Sequence, residues 1–124
     1  MGVQDVGDFE FKAIVSSSSH SLGIRLEGVA DFRVKEMLWA WLLGIHREAL
    51  RLRVPQVTVD LRALEFMNSS CFKCFVDWIG KVQDLPSADR YQILFDSNRD
   101  LHWQRRSLNA LRCFAAEVVT VEAR

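Results

Sequence analysis

Five short runs along the chain alternate between apolar and polar residues. They lie at positions 9–14, 22–27, 57–61, 91–95 and 118–121, the first beginning at Phe9. Alternation places every second side chain on one side of an extended backbone, the pattern of a strand with one buried face. The sequence therefore predicts five strands, with the serine run at 16–19 as a hairpin connection between the first two.

Three longer segments, at 32–53, 69–82 and 101–115, space their apolar residues by three and four positions. This spacing is typical of helices with one apolar face. Asp31 can cap the first helix, and Pro55 ends it because the residue before a proline disfavours helical conformation. The order ββαβαβαβ predicts one α/β domain over residues 1–124, with a mixed, mostly parallel sheet of about five strands and three or more helices.

Composition and charge narrow the classes of function. The chain has 124 residues, 49% apolar and 26% charged, as expected of one folded domain. Lys and Arg together number 16, as do Asp and Glu, so the formal net charge is zero. A neutral chain lacks the bulk positive charge with which proteins bind nucleic acid or anionic membranes, so we expect neither as a partner.

The sequence pattern also argues against membrane insertion or export. The longest apolar run, 37–45, has about nine residues, whereas a spanning helix needs about twenty. Residues 1–8 are polar and acidic, without the basic and apolar regions of a secretion signal. We therefore expect no membrane span and a cytoplasmic location.

A motif stands out between positions 57 and 70, Val-Thr-Val-Asp-Leu-Arg-Ala-Leu-Glu-Phe-Met-Asn-Ser-Ser. It resembles the signature of STAS domains, the fold family of bacterial anti-sigma-factor antagonists. The matching positions are Asp60 and Leu61 at a strand end, the apolar pair Phe66 and Met67, and Ser69 at a helix start. The resemblance implies a STAS-like fold for nearly the whole chain and places Ser69 where the family carries its phosphorylated serine.

Two departures modify this resemblance. Asn68 replaces the usual Asp, and Cys71 replaces the usual Gly. The stretch from 68 to 77 is more similar to SiaC-type regulatory phosphoproteins, in which an Asn precedes the phosphoacceptor and Lys and Asp follow at the offsets of Lys73 and Asp77. That similarity implies control of cyclic-di-GMP synthesis, with a sigma-factor pathway as the other candidate, and it leaves the phosphorylation switch in place.

The position of Ser69 supports the same assignment on physical grounds. A phosphate at a helix N-terminus meets free backbone N–H groups and the positive end of the helix dipole. The alternative is that Ser69 only caps the helix. Ser70 lies about 100° further round, so we expect it to turn towards the preceding strand, and the serines at 16–19 lack a helix N-terminus.

Residues near Ser69 are candidates for partner contact. We assign this role to Asn68, Ser70, Lys73 and Asp77. Lys73 and Asp77 follow Ser69 along one helix face, where they form either a solvated ion pair or a contact stripe that leads away from the switch.

The sequence gives little support for a metal, redox or nucleotide-binding site. Cys71 and Cys74 lack a second ligand pair for zinc and the usual interior of a redox motif, so we interpret them as small, half-buried helix residues. The loop at 96–100 begins like a calcium loop but lacks its Gly and Glu; as a loop at a strand's carboxyl end, it is expected near Ser69. Arg105 and Arg106 beside Trp103 could stack on a nucleotide, although a solvated helix face fits them better.

Catalytic patterns are missing as well. The sequence has no Gly-x-Ser-x-Gly turn and no glycine-rich phosphate loop, and no motif pairs His20, His46 or His102 with Ser69. We therefore expect no enzyme activity, no catalytic residue, no metal and no cofactor.

The first helix carries more apolar surface than one-sided packing requires. A second strip contains Trp39, Leu42, Leu43 and Leu50, of which the first three are the candidate homodimer contacts. Either the N-terminal hairpin or the last helix covers this strip, or it forms a homodimer or partner surface.

These observations lead to two hypotheses. In the first, a cognate serine kinase modifies Ser69, a PP2C-type phosphatase reverses the modification, and the unmodified protein binds a protein effector. In the second, the chain is a constitutive STAS-like scaffold or transporter accessory subunit.

Overall fold

The computed structural model describes residues 2–8, 10–18 and 20–123. In chain order its elements are β1 (Val6–Gly7), β2 (Phe11–Ser17), β3 (Leu22–Ala30), α1 (Lys35–Leu52), β4 (Gln56–Asp60), β5 (Leu64–Met67), α2 (Ser69–Gln83), β6 (Gln92–Ser97), α3 (His102–Phe114) and β7 (Val119–Ala123). Short 3₁₀ turns, Phe32–Val34 and Ser87–Asp89, precede α1 and β6. The predicted succession of strands and helices is confirmed, with two additional short strands.

The strands form one mixed sheet in the order β1-β2-β3-β4-β6-β7, in which β5 pairs with β3. The β1/β2 and β2/β3 pairings are antiparallel and the others are parallel. The expected number of about five strands is therefore corrected to seven. β1 pairs only two residues, and β5 has buried residues at both ends and exposed ones between, so neither alternates visibly in the sequence. Phe9, the start of the first predicted strand, lies outside the described residues.

Gly28 allows β3 to pair with two strands in succession. Residues 22–25 of β3 pair with β4, residues 28–30 pair with β5, and the register shifts after Gly28. The φ angle of Gly28 is +89°, and a Cβ atom there would lie 1.9 Å from the carbonyl oxygen of Glu10. Only glycine fits both the conformation and the space. This bend positions β5 and therefore the start of α2.

The ends of α1 differ in detail from the sequence prediction. The carboxylate of Asp31 accepts a hydrogen bond from the backbone nitrogen of Arg33 at 3.0 Å and caps the 3₁₀ turn. Asp31 therefore caps the start of the segment predicted as helical, but the first turn of that segment is 3₁₀ and α1 itself begins at Lys35. At the other end Arg53 adopts a left-handed conformation, with φ at 53°, before Pro55.

The core lies on one face of the sheet. Val57 and Val59 of β4 and Phe95 of β6 are fully buried, whereas Thr58 and Leu94, which point to the opposite face, are only half-buried. Successive right-handed crossovers in one direction place their helices on the same face. The helices therefore cover one face, and the carboxyl ends of β3, β4, β5 and β6 share one edge.

A buried polar cluster joins α1, α2 and the residue before β6. The indole nitrogen of Trp78 donates to the hydroxyl of Tyr91 at 2.8 Å, and this hydroxyl lies 2.7 Å from Nδ1 of His46. Burial lowers the pKa of His46, and the charges of Lys81 and Arg47 lower it further. The cluster thus holds a neutral histidine in the interior.

Among the described residues, none of the helices combines the length and the apolar character needed to cross a membrane.

Candidate functional site

Asn68 caps α2. Its backbone is extended, with φ −76° and ψ 168°, and its side-chain oxygen accepts a hydrogen bond from the backbone nitrogen of Cys71 at 2.9 Å. Ser69 follows as the first helical residue, which confirms the prediction that it lies at a helix start. The alternative role of Ser69 as the cap is wrong, because Asn68 already occupies that position.

The two adjacent serines have different environments. Ser69 is exposed, and its hydroxyl has no hydrogen-bond partner in the described part of the chain. Ser70 is half-buried, and its hydroxyl donates to the side-chain oxygen of Asn68 at 3.1 Å. Asn68 therefore orders both the helix end and Ser70, while the Ser69 hydroxyl remains accessible.

Lys73 and Asp77 extend the exposed face that begins at Ser69. All three side chains are exposed at intervals of four residues along α2. Lys73 and Asp77 form no ion pair within 4.0 Å in the part of the chain that the structure describes. Both charged groups thus remain free to contact a partner.

The cysteines behind this face anchor the helix. Cys71 and Cys74 are almost fully buried, more deeply than expected from the sequence. The thiol of Cys71 lies 3.1 Å from the carbonyl oxygen of Asp31, and burial raises its pKa to about 11. Burial also raises the pKa of Cys74. Both are thiols at neutral pH, and among the described residues no cluster suited to a metal ion is found.

Two aromatic residues are exposed at the same edge of the sheet. Phe66 pairs with Val29 across β5 and β3 and is 48% exposed, and Phe32, two residues beyond the end of β3, is 74% exposed. Phe66 belongs to the motif recognised in the sequence. Phe32 is not among the predicted site residues, because in the sequence its apolar character continues the helical spacing of α1.

The loop between β4 and β5 is fixed by side chains on both sides. The Arg62 guanidinium binds both carboxylate oxygens of Asp60, at 3.0 and 2.9 Å, and holds the pKa of that carboxyl below its usual range. The side-chain nitrogen of Asn98 donates to the carbonyl of Arg62 at 3.1 Å. The residues after β6 thus border the loop between β4 and β5, and their expected position near Ser69 stays a prediction. Asp96 and Ser97, however, belong to β6 rather than to a loop.

Comparisons with solved structures decide the fold. An anti-sigma factor antagonist from Mycobacterium paratuberculosis matches with a TM-score of 0.63 at 14% sequence identity, over 84% of this chain and 81% of that chain. The Bacillus cell fate determinant SpoIIAA, solved in its phosphorylated form, matches with a TM-score of 0.59 at 15% identity, over 89% and 90%. The chain has the fold of the anti-sigma factor antagonists.

This STAS-like fold is the one that the motif at 57–70 implied. The sequence as a whole gives no such signal, since no family model matches the chain and no curated protein matches it by sequence. At 14% and 15% sequence identity, the structural similarity to these two proteins establishes the fold alone.

The prediction that an apolar strip of α1 forms a dimer or partner surface is wrong for one of its residues. Leu42 is fully buried in the core of this STAS-like fold and cannot form part of a dimer surface, whereas Trp39 and Leu43 are half-buried. The N-terminal segment covers a different flank of α1, where the indole nitrogen of Trp41 donates to the carbonyl of Gln4 at 2.8 Å. Trp39 follows Lys35 by one turn, and the Lys35 carbonyl lies 3.9 Å from the thiol of Cys74 in α2. The remaining strip therefore borders α2.

Proposed function

We propose that this chain is a phosphorylation-regulated partner-switching protein. The unmodified form binds a protein effector through the surface around the start of α2, a serine kinase releases it by modifying Ser69, and a PP2C-type phosphatase restores binding. The observation that carries this proposal is the free, exposed hydroxyl of Ser69 at the first position of α2, beside a separate cap at Asn68. Two solved proteins with the same fold, one of them phosphorylated, support it.

The helix start tolerates a phosphate. A phosphoserine at this position adds about −1.5 to −2 charges. The positive end of the helix dipole and the unpaired N–H groups of the first turn favour negative charge there. The modification therefore changes the surface without unfolding α2.

The surroundings of Ser69 suit a docking surface. Exposed Phe66 and Phe32 supply apolar area at the sheet edge, and Lys73 and Asp77 supply fixed charges along α2. A partner that desolvates the aromatic residues would meet the new phosphate as an uncompensated charge, which weakens binding. Asn68, Ser70 and the strip of Trp39 and Leu43 complete this surface.

The residues around the switch favour one class of effector. Asn68, Lys73 and Asp77 stand at the positions that resemble the SiaC-type pattern, so we propose a protein that controls cyclic-di-GMP synthesis, ahead of a sigma-factor pathway. In either pathway the chain acts by binding, and we propose no catalytic role.

Binding of phosphorylated and unmodified protein to candidate effectors tests the proposal. Phosphoserine is incorporated at position 69 during translation, and calorimetry measures affinity for a cyclic-di-GMP synthase and for an anti-sigma factor from the same genome. We expect Ser69→Ala to bind as the wild type does, and phosphoserine or Ser69→Asp to bind at least about tenfold more weakly, or about 1.4 kcal/mol.

Ser87→Asp is the matched control, because Ser87 is an exposed serine in the 3₁₀ turn before β6, away from α2's start. It should bind as the wild type does. Equal affinity of the phosphorylated and unmodified proteins for an effector that binds would reject the switch and support the constitutive scaffold or transporter accessory subunit.

A further inference from the structure

A second surface lies at the opposite edge of the sheet from β1. β7 ends the strand order, and α3 packs above it. Between them runs a groove with a volume of about 510 Å³, whose floor contains Val121 and Ala123 and whose upper end contains Ser97 and Asn98. The groove is separate from the face formed by Ser69, Lys73 and Asp77.

Arginines dominate the groove. Its lining includes Arg99, Arg105, Arg106 and Arg112 and contains no Asp or Glu. Across residues 2–8, 10–18 and 20–123, none of the four forms an ion pair. Their recorded hydrogen bonds go to neutral groups, the carbonyl of Arg99 and the side chain of Asn109. A chain with zero net charge thus concentrates unpaired positive charge here.

One flank of α3 and the edge strand β7 form the two sides of the groove. Arg105, Asn109 and Arg112 follow one another at intervals of four and three residues, so they share one flank of α3. Glu122, between the two floor residues of β7, points to the other face of the sheet by strand alternation. This flank of α3 therefore places its arginines beside β7, and no carboxylate of β7 points towards them.

The backbone of β7 is open on this side. The carbonyl of Val118 accepts from the nitrogen of Ile93 in β6, and the carbonyl of Glu122 accepts from the Ser97 hydroxyl, so these groups point inwards. Backbone groups alternate along a strand, and those of Val121 therefore point away from β6. No further strand covers that edge in the described residues. An unpaired strand edge can accept an added strand.

We propose that this groove binds an extended acidic segment of a partner protein, which pairs with β7 as an additional strand and places its carboxylates against Arg105 and Arg112. Pairing two copies of this chain through β7 would bring the same arginines face to face, and like charges disfavour that arrangement. The occupant is therefore an acidic strand from a different protein. This surface does not depend on Ser69, so it would remain if the phosphorylation switch were rejected.

The test uses a capped octapeptide of alternating Val and Glu, labelled for fluorescence anisotropy, at a physiological salt concentration that screens weak surface attraction. We expect saturable binding, with NMR amide shifts at Val121 and Ala123. A peptide with Lys in place of Glu should bind at least about tenfold more weakly, since the like charges repel.

Backbone methylation separates strand pairing from charge. One peptide carries N-methyl groups on all its valines and glutamates, which block both edges of the strand and leave the carboxylates unchanged. Both edges must be blocked, because the edge that faces β7 depends on whether the peptide runs parallel or antiparallel to it. The methylated peptide should therefore lose binding.

Paired variants locate the site. Arg105→Gln with Arg112→Gln should weaken peptide binding at least about tenfold, while Arg47→Gln with Lys12→Gln, an equal change of charge at exposed positions elsewhere, should leave it within about twofold. No binding of the parent peptide, equal binding of the methylated and parent peptides, shifts confined to residues near Ser69, or full displacement by inorganic triphosphate at constant ionic strength would each overturn the proposal.

Discussion

The hydroxyl of Ser70 donates a hydrogen bond to the side-chain oxygen of Asn68 at a distance of 3.1 Å. This contact distinguishes two adjacent serines that a sequence motif cannot separate by chemistry alone. The Ser70 hydroxyl is half-buried and already bonded, whereas the Ser69 hydroxyl is exposed and has no such partner in the described residues.

The first prediction concerns the modified residue. A kinase that recognises this surface should phosphorylate Ser69, because its hydroxyl can reach an active site without breaking a contact. Peptide mapping after co-expression with a candidate histidine-kinase-like serine kinase should find one phosphate, at Ser69. Ser70→Ala should retain it and Ser69→Ala should lose it. If Ser70 or the serines at 16–19 carry phosphate only in the Ser69→Ala variant, the kinase has modified a substitute site, and the assignment stands. If those serines carry phosphate in the wild type while Ser69 is unmodified, the assignment is wrong.

The second prediction concerns the helix cap. Asn68→Ala should lower the free energy of unfolding by about 1 kcal/mol, because the backbone nitrogen of Cys71 loses its acceptor. Ser69→Ala is the matched control and should change stability by less than about 0.5 kcal/mol. Urea unfolding followed by tryptophan fluorescence measures both. A larger loss for Ser69→Ala than for Asn68→Ala would show that the cap has been assigned to the wrong residue.

The third prediction is a pH dependence that originates at His46. Trp78 donates to the Tyr91 hydroxyl, which directs the hydroxyl proton towards Nδ1 of His46. The folded pKa of His46 lies below the ordinary value of 6.5. As the pH falls through about 6.5, the unfolded chain takes up a proton that folded His46 does not. Unfolding is thereby favoured, so this contribution to stability is present above about pH 6.5 and is lost as the pH falls towards the folded pKa.

Urea unfolding at a series of pH values between about 7.5 and 5.5 measures this effect, with a slope of up to about 1.4 kcal/mol per pH unit from one group. The exposed His102 provides the control: His102→Gln should keep the slope, whereas His46→Gln should reduce it. An unchanged slope in His46→Gln would mean that another group is responsible.

The fourth prediction uses two glycines. Gly28→Ala should lower the free energy of unfolding by about 2 kcal/mol or more, because the backbone has a positive φ and the new Cβ atom meets the Glu10 carbonyl. Gly80→Ala, in the interior of α2 with nothing within 4 Å of its Cβ position apart from its chain neighbours and its own helix backbone, should instead raise it by about 0.5–1 kcal/mol. Chemical denaturation of the two variants checks the pair, and a neutral effect of Gly28→Ala would contradict the close contact.

The order of elements followed from the sequence, because strands and helices with one buried face impose periods of about two and 3.6 residues that are local properties of the chain. The start of α2 was equally local, since Asn68 and the serines after it precede a strongly periodic apolar segment.

Only the tertiary structure decided the remaining features. The pairing of β5 with β3 depends on the bend at Gly28, the complete burial of Leu42 depends on how α1 packs against the sheet and α2, and the arginine groove exists because α3 lies beside the free edge of β7. Each of these results from contacts between residues that are distant in the chain. Local periodicity carries no information about such contacts, whereas the packing of the whole domain determines them.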